Sequence, residues 1–353
     1  MNVALFGFTV RGVETARDIA GLLREAGDAT AIYAPKKFAG GEVTAYGDDL
    51  PGFTGTLFDR DALIFVGACG IAVRAVAPHV ASKRSDPAVL CVDERGSFVI
   101  SLLSGHIGGA NRLAHRLARA MGAMPVITTA TDVNGRFSVD AWAAERDMSL
   151  SDMGLAKRVS AEILTRDIPM WAEDREAPAK LPPGLVWRRG GKLGICVSCR
   201  DEHPFDDTLL VIPRALRVGV GCRRGISPEA VAEAVDAVFE AHRLRREAVA
   251  GVASIDVKAD EPGLLAFCAA RGWPVCFYDA ETLNAVTGSF AQSEFVKKTV
   301  GVDNVCERAA LASEGRLIAP KTARNGVTVA VAEMKWRLDF GEDQCGGHRP
   351  GSL

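Results

Sequence analysis

The chain has 353 residues, of which 48% are hydrophobic and 24% are charged, proportions typical of a folded protein with two or three domains. The formal net charge of −2 excludes an overall positive field that would attract nucleic acid or an anionic membrane surface. Because no apolar run is long enough to span a bilayer and no secretory signal opens the chain, we expect a cytoplasmic protein without membrane contact.

Nine cysteines are scattered along the chain, an odd number that favours reduced thiols over a disulfide framework. Only Cys196-x-x-Cys199, with His203 nearby, has a spacing that resembles a metal site. It lies in a strand-like run and lacks a second pair of ligands, so buried thiols are favoured over zinc and no metal site is predicted.

The first part of the chain alternates strands and helices. Strands are expected at 3–7, 30–33, 62–66, 89–93 and 98–103, and helices at 12–26, 71–77 and 110–121. This alternation predicts a doubly wound α/β domain over residues 1–134.

A glycine corner, Gly67-Ala68-Cys69-Gly70, follows the third of these strands. Arg74 comes one helical turn later and could face an anion held at the corner. A tight turn with a surface arginine is the structural alternative.

A second glycine corner, residues 104–111, follows the strand at 98–103. Its three glycines, Gly105, Gly108 and Gly109, would let the backbone approach a ligand, and the helix start, expected near Ile107, would offer N–H groups to an anion. The corner also carries three polar side chains, those of Ser104, His106 and Asn111. Glycines that serve packing alone, with Ser104 as a helix cap, are the alternative.

Four polar residues follow the next strand towards the same edge: Thr128, Thr129, Thr131 and Asp132. They extend the candidate site. A serine nucleophile at Ser104 with His106 as its base is disfavoured, because residues two apart in a loop rarely face each other.

Residues 135–215 are rich in proline and predict a small α/β module, with helices at 138–146 and 155–164 and strands at 194–198 and 208–212. A C-terminal α/β domain is expected over 216–340, with a helix that begins at Ser293, and residues 341–353 are expected to be a disordered tail.

The C-terminal domain opens with a strand that ends in Gly221-Cys222-Arg223-Arg224, just before a helix capped by Ser227. Two arginines at a glycine-rich helix start predict an anion pocket. A dinucleotide site of an oxidoreductase is the alternative, but the glycines at 219, 221 and 225 are spaced one residue too far apart for it. Ser254, Lys258 and Glu307 could line the same edge, with a solvated charged rim as the alternative.

Several blocks of the chain resemble one family, the cobalt-precorrin-5A hydrolases (CbiG) of anaerobic cobalamin biosynthesis. The blocks are VGACGIAVR at 66–74, LSGHIGGAN at 103–111, PVITTATDVNG at 125–135, VGCRRG at 220–225, ASIDVK at 253–258 and GVDNVCERAAL at 301–311. The resemblance covers nearly the whole chain in the same order, and the C-terminal domain also resembles a small stand-alone protein of the aerobic pathway.

The resemblance implies a hydrolase that acts on a cobalt-containing tetrapyrrole. Water opens a δ-lactone between an acetate side chain and the ring-contraction carbon of cobalt-precorrin-5A, acetaldehyde leaves, and the product is cobalt-precorrin-5B. The cobalt is carried by the substrate, so no cofactor of the protein is expected. A tetrapyrrole carrier of the same pathway without its own chemistry is the alternative, and a homodimer and contacts with neighbouring pathway enzymes are further expectations.

The chemistry that the resemblance implies assigns roles to the residues above. His106 is the first candidate for the base that activates water, Asp132 is the second, and Ser104 is kept as a third catalytic candidate. N–H groups around Gly105 to Gly109 are candidates for an oxyanion site. The residues assigned to substrate binding are Gly67, Gly70, Arg74, Gly105, Gly108, Gly109, Asn111, Thr128, Thr129, Thr131, Gly221, Cys222, Arg223, Arg224, Ser254, Lys258 and Glu307.

Overall fold

The computed structural model of the protein describes residues 1–82, 85–173, 175–290, 301–313 and 315–340. The chain divides into two compact units, residues 1–144 and residues 145–353. The predicted helix that begins at Ser293 and the predicted disordered tail at 341–353 lie outside the described residues. The domain boundaries at 134/135 and 215/216 remain predictions.

The first unit is built on a sheet of seven strands with helices on both faces, so the doubly wound α/β prediction is confirmed. The strands are β1 (Asn2–Gly7), β2 (Ala29–Pro35), β3 (Val43–Tyr46), β4 (Ala62–Val66), β5 (Ala88–Val92), β6 (Phe98–Leu103) and β7 (Met124–Val126). The helices are α1 (Val10–Glu25), α2 (Leu50–Gly55), α3 (Cys69–Val76), α4 (Ala110–Met121), α5 (Ala130–Val133) and α6 (Val139–Glu145).

The strand order across this sheet is β3-β2-β1-β4-β5-β6-β7, and β6 is antiparallel to β5 while the other neighbours are parallel. The loop after β6 therefore lies at the opposite edge from the loops after β1 and β4. As a result, the corner at Gly67 and the corner at Ser104 lie at different edges of one sheet. The apolar pattern of β6 carries no information on strand direction, so the sequence could not separate the two corners in this way.

Helix α4 connects β6 to β7 as a crossover between parallel strands. Its predicted apolar face is buried, as the sequence spacing requires: Ala110, Leu113, Ala114, Leu117 and Ala118. It ends at Gly122 with φ +67°, a left-handed conformation that favours glycine. The helix begins at Ala110 instead of the predicted Ile107, because residues 104–109 form a loop that ends in Gly109 with φ +79°.

The second unit contains two sheets. The first is ordered β10-β9-β11-β12-β8 and consists of β8 (Ser149–Leu150), β9 (Ile168–Trp171), β10 (Leu185–Trp187), β11 (Leu193–Val197) and β12 (Asp207–Ile212). The second is ordered β15-β14-β13-β17-β16 and consists of β13 (Leu216–Cys222), β14 (Val249–Ile255), β15 (Val275–Tyr278), β16 (Gly315–Arg324) and β17 (Val327–Met334). The helices are α7 (Met153–Glu162), α8 (Pro228–Ala241), α9 (Pro262–Arg271), α10 (Ala280–Ala285) and α11 (Val305–Leu311).

The two sheets of the second unit share one apolar core. Side chains of β11 and β12, such as Cys196 and Ile212, lie in the same buried cluster as Val218 of β13 and Val235 of α8. Sequence analysis missed β9 and β10, because each is only three or four residues long and β9 contains a proline.

Gly219 of β13 lets α11 lie directly against the sheet. A Cβ atom at this position would be 1.8 Å from the backbone oxygen of Cys306. Gly219 is therefore required for packing. Of the three glycines at 219, 221 and 225 that resembled a dinucleotide pattern, the first is explained by the packing of α11 on the sheet.

Candidate functional site

The loop that follows β6 is held in shape by contacts of the Ser104 backbone and side chain. Ser104 has φ +58°, and its buried hydroxyl donates to the carbonyl oxygen of Asp86 at 3.0 Å. The N–H of Ala110 donates to the carbonyl oxygen of Ser104 at 3.1 Å. A Cβ atom on Gly108 would be 2.4 Å from the Ser104 Cβ, so this glycine is required by the fold of the loop.

His106 lies between two carboxylates. Its Nε2 is 2.7 Å from Asp132 Oδ2, and its Nδ1 is 3.2 Å from Asp140 Oδ1. The Ser138 hydroxyl is 3.1 Å from Nδ1 and donates to Asp140 Oδ1 at 2.8 Å. The imidazole is 14% exposed, the Asp140 side chain 8% and the Asp132 side chain 32%, so the row of three groups runs from the interior to the surface.

Asn111 and two threonines surround the outer carboxylate. The Asn111 Nδ2 donates to Thr129 Oγ1 at 2.9 Å and to Asp132 Oδ2 at 3.3 Å. The Thr131 hydroxyl lies 3.2 Å from His106 Nε2. Asn111 Oδ1 is buried and accepts no hydrogen bond from any described residue, so this acceptor is available to a donor from elsewhere. These contacts bring together five of the predicted site residues.

The two carboxylates determine the charge of His106. Burial lowers the pKa of the imidazole, but its hydrogen bonds to Asp132 and Asp140 and the charges of both carboxylates outweigh burial and raise that pKa to about 9. His106 is therefore an imidazolium at neutral pH and has no lone pair with which to accept a proton from water. The geometry favours Asp132, whose Oδ1 is bonded by no described residue, over His106 as the base.

Four of the five backbone N–H groups of residues 105–109 have no acceptor in the described part of the chain. The N–H groups of Gly109 and Asn111 donate within the loop, to the carbonyl oxygens of His106 and Gly105. Those of Gly105, His106, Ile107 and Gly108 donate to no atom among the residues that the structure describes. Within the predicted oxyanion segment, the N–H groups of residues 105–108 are therefore available to an acceptor from a ligand.

Ser104 and His106 share no hydrogen bond in the described part of the chain, since the Ser104 hydroxyl is bonded to Asp86. The structure thus gives no support to Ser104 as a nucleophile activated by His106. Conversely, Ser138 and Asp140 were missed, because sequence analysis assigned their helix to the middle module. A Ser-x-Asp pair at the start of an otherwise apolar helix was the available signal.

The predicted residues at the other edge of the first sheet lie apart from His106. Arg74 is exposed and donates to the carbonyl oxygen of Gly70, in the first turn of its own helix, at 3.1 Å. Gly67 has φ +155° and lies against the ring of Phe8.

Thr128, by contrast, lies at the same edge of the sheet as His106, where it is exposed after β7.

In the second unit, one group of predicted residues gathers where β13 ends. Lys258 and Glu261 are buried and paired at 3.4 Å, and the N–H of Gly225 donates to Glu261 Oε1 at 3.0 Å. Burial raises the pKa of the nearby Cys222 thiol. Arg224 is exposed and reaches Asp260 only at 3.4 Å.

Arg223 is the side chain of this group that is most available to a ligand. It is exposed, its side chain lies over Gly326, and no carboxylate of the described residues pairs with it. The two other predicted side chains are engaged inside the protein. Ser254 is fully buried and donates to the Val220 carbonyl oxygen at 2.6 Å, and Glu307 Oε1 accepts from the N–H of Lys321 at 2.8 Å. Gly221 contributes its carbonyl oxygen to a hydrogen bond from Thr328.

The Cys196 and Cys199 thiols are buried, and burial raises the pKa of each to about 12. Both are free cysteines. Across the described ranges, no three His, Cys, Asp or Glu side chains are grouped as metal ligands. No helix within those ranges has the length and apolar character needed to cross a membrane.

Comparison with known proteins places these features in context. Two family models match the chain, "Cobalamin synthesis G N-terminal" at residues 53–132 and "Cobalamin synthesis G C-terminus" at residues 216–332. A protein of Salmonella typhimurium named cobalt-precorrin-5A hydrolase is 36% identical over 348 residues, which cover 94% of this chain and 97% of that protein.

A protein of the same name from Priestia megaterium is 29% identical and covers 94% of each chain. Protein CobE of a Sinorhizobium species is 35% identical over 121 residues, which cover 33% of this chain and 79% of that protein. The match to the first of these family models, at residues 53–132, includes both His106 and Asp132.

Proposed function

This chain belongs to the cobalt-precorrin-5A hydrolase family, and we propose that it hydrolyses the lactone of cobalt-precorrin-5A at the site formed by Asp140, His106 and Asp132. It is thus an enzyme of cobalamin biosynthesis; because the full-length relatives carry an enzyme name, a carrier without chemistry is not favoured. The observation that carries the site assignment is the hydrogen-bonded row of two carboxylates and one imidazolium beside free loop N–H groups.

The proposed reaction begins with attack of water on the lactone carbonyl carbon. As the new C–O bond forms, Asp132 takes a proton from the water, and the free N–H groups of residues 105–108 stabilise the negative charge on the carbonyl oxygen. The tetrahedral intermediate then collapses and the acyl C–O bond breaks. The released alkoxide oxygen becomes the carbonyl oxygen of acetaldehyde as the C–C bond to the macrocycle breaks, and the bonding electron pair enters the conjugated ring.

His106 supports this reaction as a fixed positive charge. Its Nε2–H donates to Asp132 Oδ2, which leaves Oδ1 to accept the proton from the attacking water. Asp132 then gives the proton on Oδ1 to the macrocycle, which has received the bonding electron pair, or to solvent water, so the carboxylate beside the imidazolium is restored. No cofactor of the protein is needed in this proposal, because the cobalt enters with the substrate and ester hydrolysis needs only acid–base groups.

The test of this function is acetaldehyde release. Purified protein incubated with cobalt-precorrin-5A should release one acetaldehyde for each lactone opened, trapped as a hydrazone and counted by chromatography. A shift in the tetrapyrrole absorption spectrum without acetaldehyde would contradict the proposal and support a carrier.

We expect replacement of Ser104 by alanine to leave kcat within about tenfold of wild type, because no covalent nucleophile is needed when water attacks directly. The variant loses the hydrogen bond to Asp86, worth about 1 kcal/mol, so a lower melting temperature is also expected. Steady-state acetaldehyde release measures the first effect. A loss of several orders of magnitude in a folded variant would restore Ser104 as a catalytic group.

Arg223 and Arg224 are proposed to hold acid side chains of the substrate. Replacing both with alanine should raise the Kd of cobalt-precorrin-5A about tenfold or more, since a charge-assisted hydrogen bond contributes about 1.5–3 kcal/mol. Arg214, another exposed arginine of the second unit, provides the control variant Arg214→Ala, for which no change is expected. Unchanged affinity in the double variant would show that these two arginines do not bind the substrate.

Three further proposals concern the setting of the enzyme. Eight cysteines of the described chain are free thiols, which supports a reducing compartment such as the cytoplasm. A homodimer and contacts with neighbouring pathway enzymes are also proposed. Sedimentation of the purified protein tests whether the homodimer forms.

A further inference from the structure

The groups behind His106 are a second part of the site, and they lie outside the loop that follows β6. Asp140 and Ser138 come from the start of α6, whereas His106 comes from the loop after β6 and Asp132 from α5. Asp140 is 6% exposed and Ser138 is 5% exposed, so both are buried polar residues. A buried carboxylate is costly unless it is paired, and this one is paired with the imidazole Nδ1 at 3.2 Å.

We propose that Asp140 and Ser138 act as positioning residues for the hydrolysis: together they hold Nδ1–H of His106, so that Nε2–H is directed at the catalytic carboxylate of Asp132. This inference rests on the proposed function. Ser138 has one proton, which it donates to Asp140 at 2.8 Å, so its oxygen can only accept from Nδ1. Nδ1–H is therefore held by two acceptors, and the ring cannot rotate about its Cβ–Cγ bond without breaking both contacts.

Both carboxylates are needed to keep His106 positively charged beside Asp132. The charged groups that face the ring are Asp140 from α6 and Asp132 from α5. If Asp140 lost its charge, the imidazole would become neutral at a lower pH, and the hydrogen bond from Nε2–H to Asp132 would no longer be strengthened by a positive charge on the ring. Asp132 would keep its place near the surface but be oriented less firmly.

The decisive experiment measures the His106 titration and the reaction in the same variants. In Asp140→Asn, histidine NMR of the full-length protein without substrate should show the pKa of His106 falling by more than about one unit from wild type. His106→Asn assigns the resonance among the six histidines. The kcat for acetaldehyde release should fall about tenfold to a hundredfold with KM nearly unchanged, and the alkaline limb of its pH profile should move to lower pH.

Ser138→Ala provides a milder variant in case Asp140→Asn does not fold, and a smaller shift in the same direction is expected. Asp28→Asn is the matched control. Asp28 is also a buried, paired carboxylate of the first unit, but it binds Arg116 and the N-terminal amine instead of His106. It should lose stability while the His106 titration and the pH profile stay unchanged.

An unchanged His106 titration in both Asp140→Asn and Ser138→Ala would overturn this inference, as would a shifted titration with no movement of the alkaline limb. Failure of the proposed function has a different appearance. The wild-type protein would then release no acetaldehyde, and the NMR titration, which needs no substrate, would decide alone whether Asp140 and Ser138 hold the ring.

Discussion

Replacement of Asp132 with asparagine is expected to lower kcat for acetaldehyde release by about 10²–10⁴-fold, the usual contribution of a general base. The amide has nearly the same shape as the carboxylate but cannot accept a proton from water. In the wild-type protein His106 is an imidazolium at neutral pH, so the Asp132 carboxylate is the group of this pair that can accept the proton. Steady-state kinetics at pH 7 should show the decrease in kcat. The Kd of the substrate, measured separately by absorption, should stay nearly unchanged.

Two controls make the Asp132 result interpretable. Asp18→Asn removes a carboxylate from the exposed side of α1 and should not change kcat. Asp132→Glu keeps the carboxylate at a different reach and should retain more activity than the asparagine variant. If Asp132→Asn turned over at the wild-type rate, the base would have to be sought elsewhere.

The second large effect concerns stability. Gly219→Ala should destabilise the second unit by about 3 kcal/mol or more, the upper range for overpacking of a core. The added methyl group would lie 1.8 Å from the Cys306 backbone oxygen, and a backbone atom cannot move aside as a flexible side chain can. Helix α11 must shift off β13, or the strand must distort.

Urea denaturation followed by tryptophan fluorescence measures this change, since Trp171, Trp187, Trp273 and Trp336 all belong to the second unit. Gly21→Ala is the matched control in the first unit. No atom lies within 4 Å of the added methyl group there, and an alanine in a helix is favoured over glycine by about 1 kcal/mol. A Gly219→Ala protein as stable as wild type would mean that α11 does not pack as closely as described.

Much of the fold could be predicted because apolar spacing reports directly on burial. The buried face of α4 follows from a helical period, and Gly122 ends the helix where the left-handed conformation requires glycine. Strand direction cannot be predicted in this way. The reversal of β6 depends on which neighbours it pairs with, and that choice is made by long-range contacts that leave no local pattern.

The candidate site could be predicted only in part for a similar reason. His106, Asn111 and Asp132 lie in glycine-rich or polar turns, where a functional side chain stands out against its neighbours. Asp140 is hidden in a helix of ordinary composition, and only the folded chain brings it to His106. The role of His106 was also beyond the sequence, since its protonation depends on two carboxylates that are 26 and 34 positions away in the chain.

The reversal of β6 has a consequence for how the sequence of the first unit can vary. Its two glycine loops are separated by the length of the strands between them, roughly 15 Å for five residues. A hydrogen bond made at Gly70 cannot reach a group held at His106. Insertions or substitutions in the loop after β4 can therefore accumulate without disturbing proton transfer at the far end, and each end of the sheet can be tuned on its own.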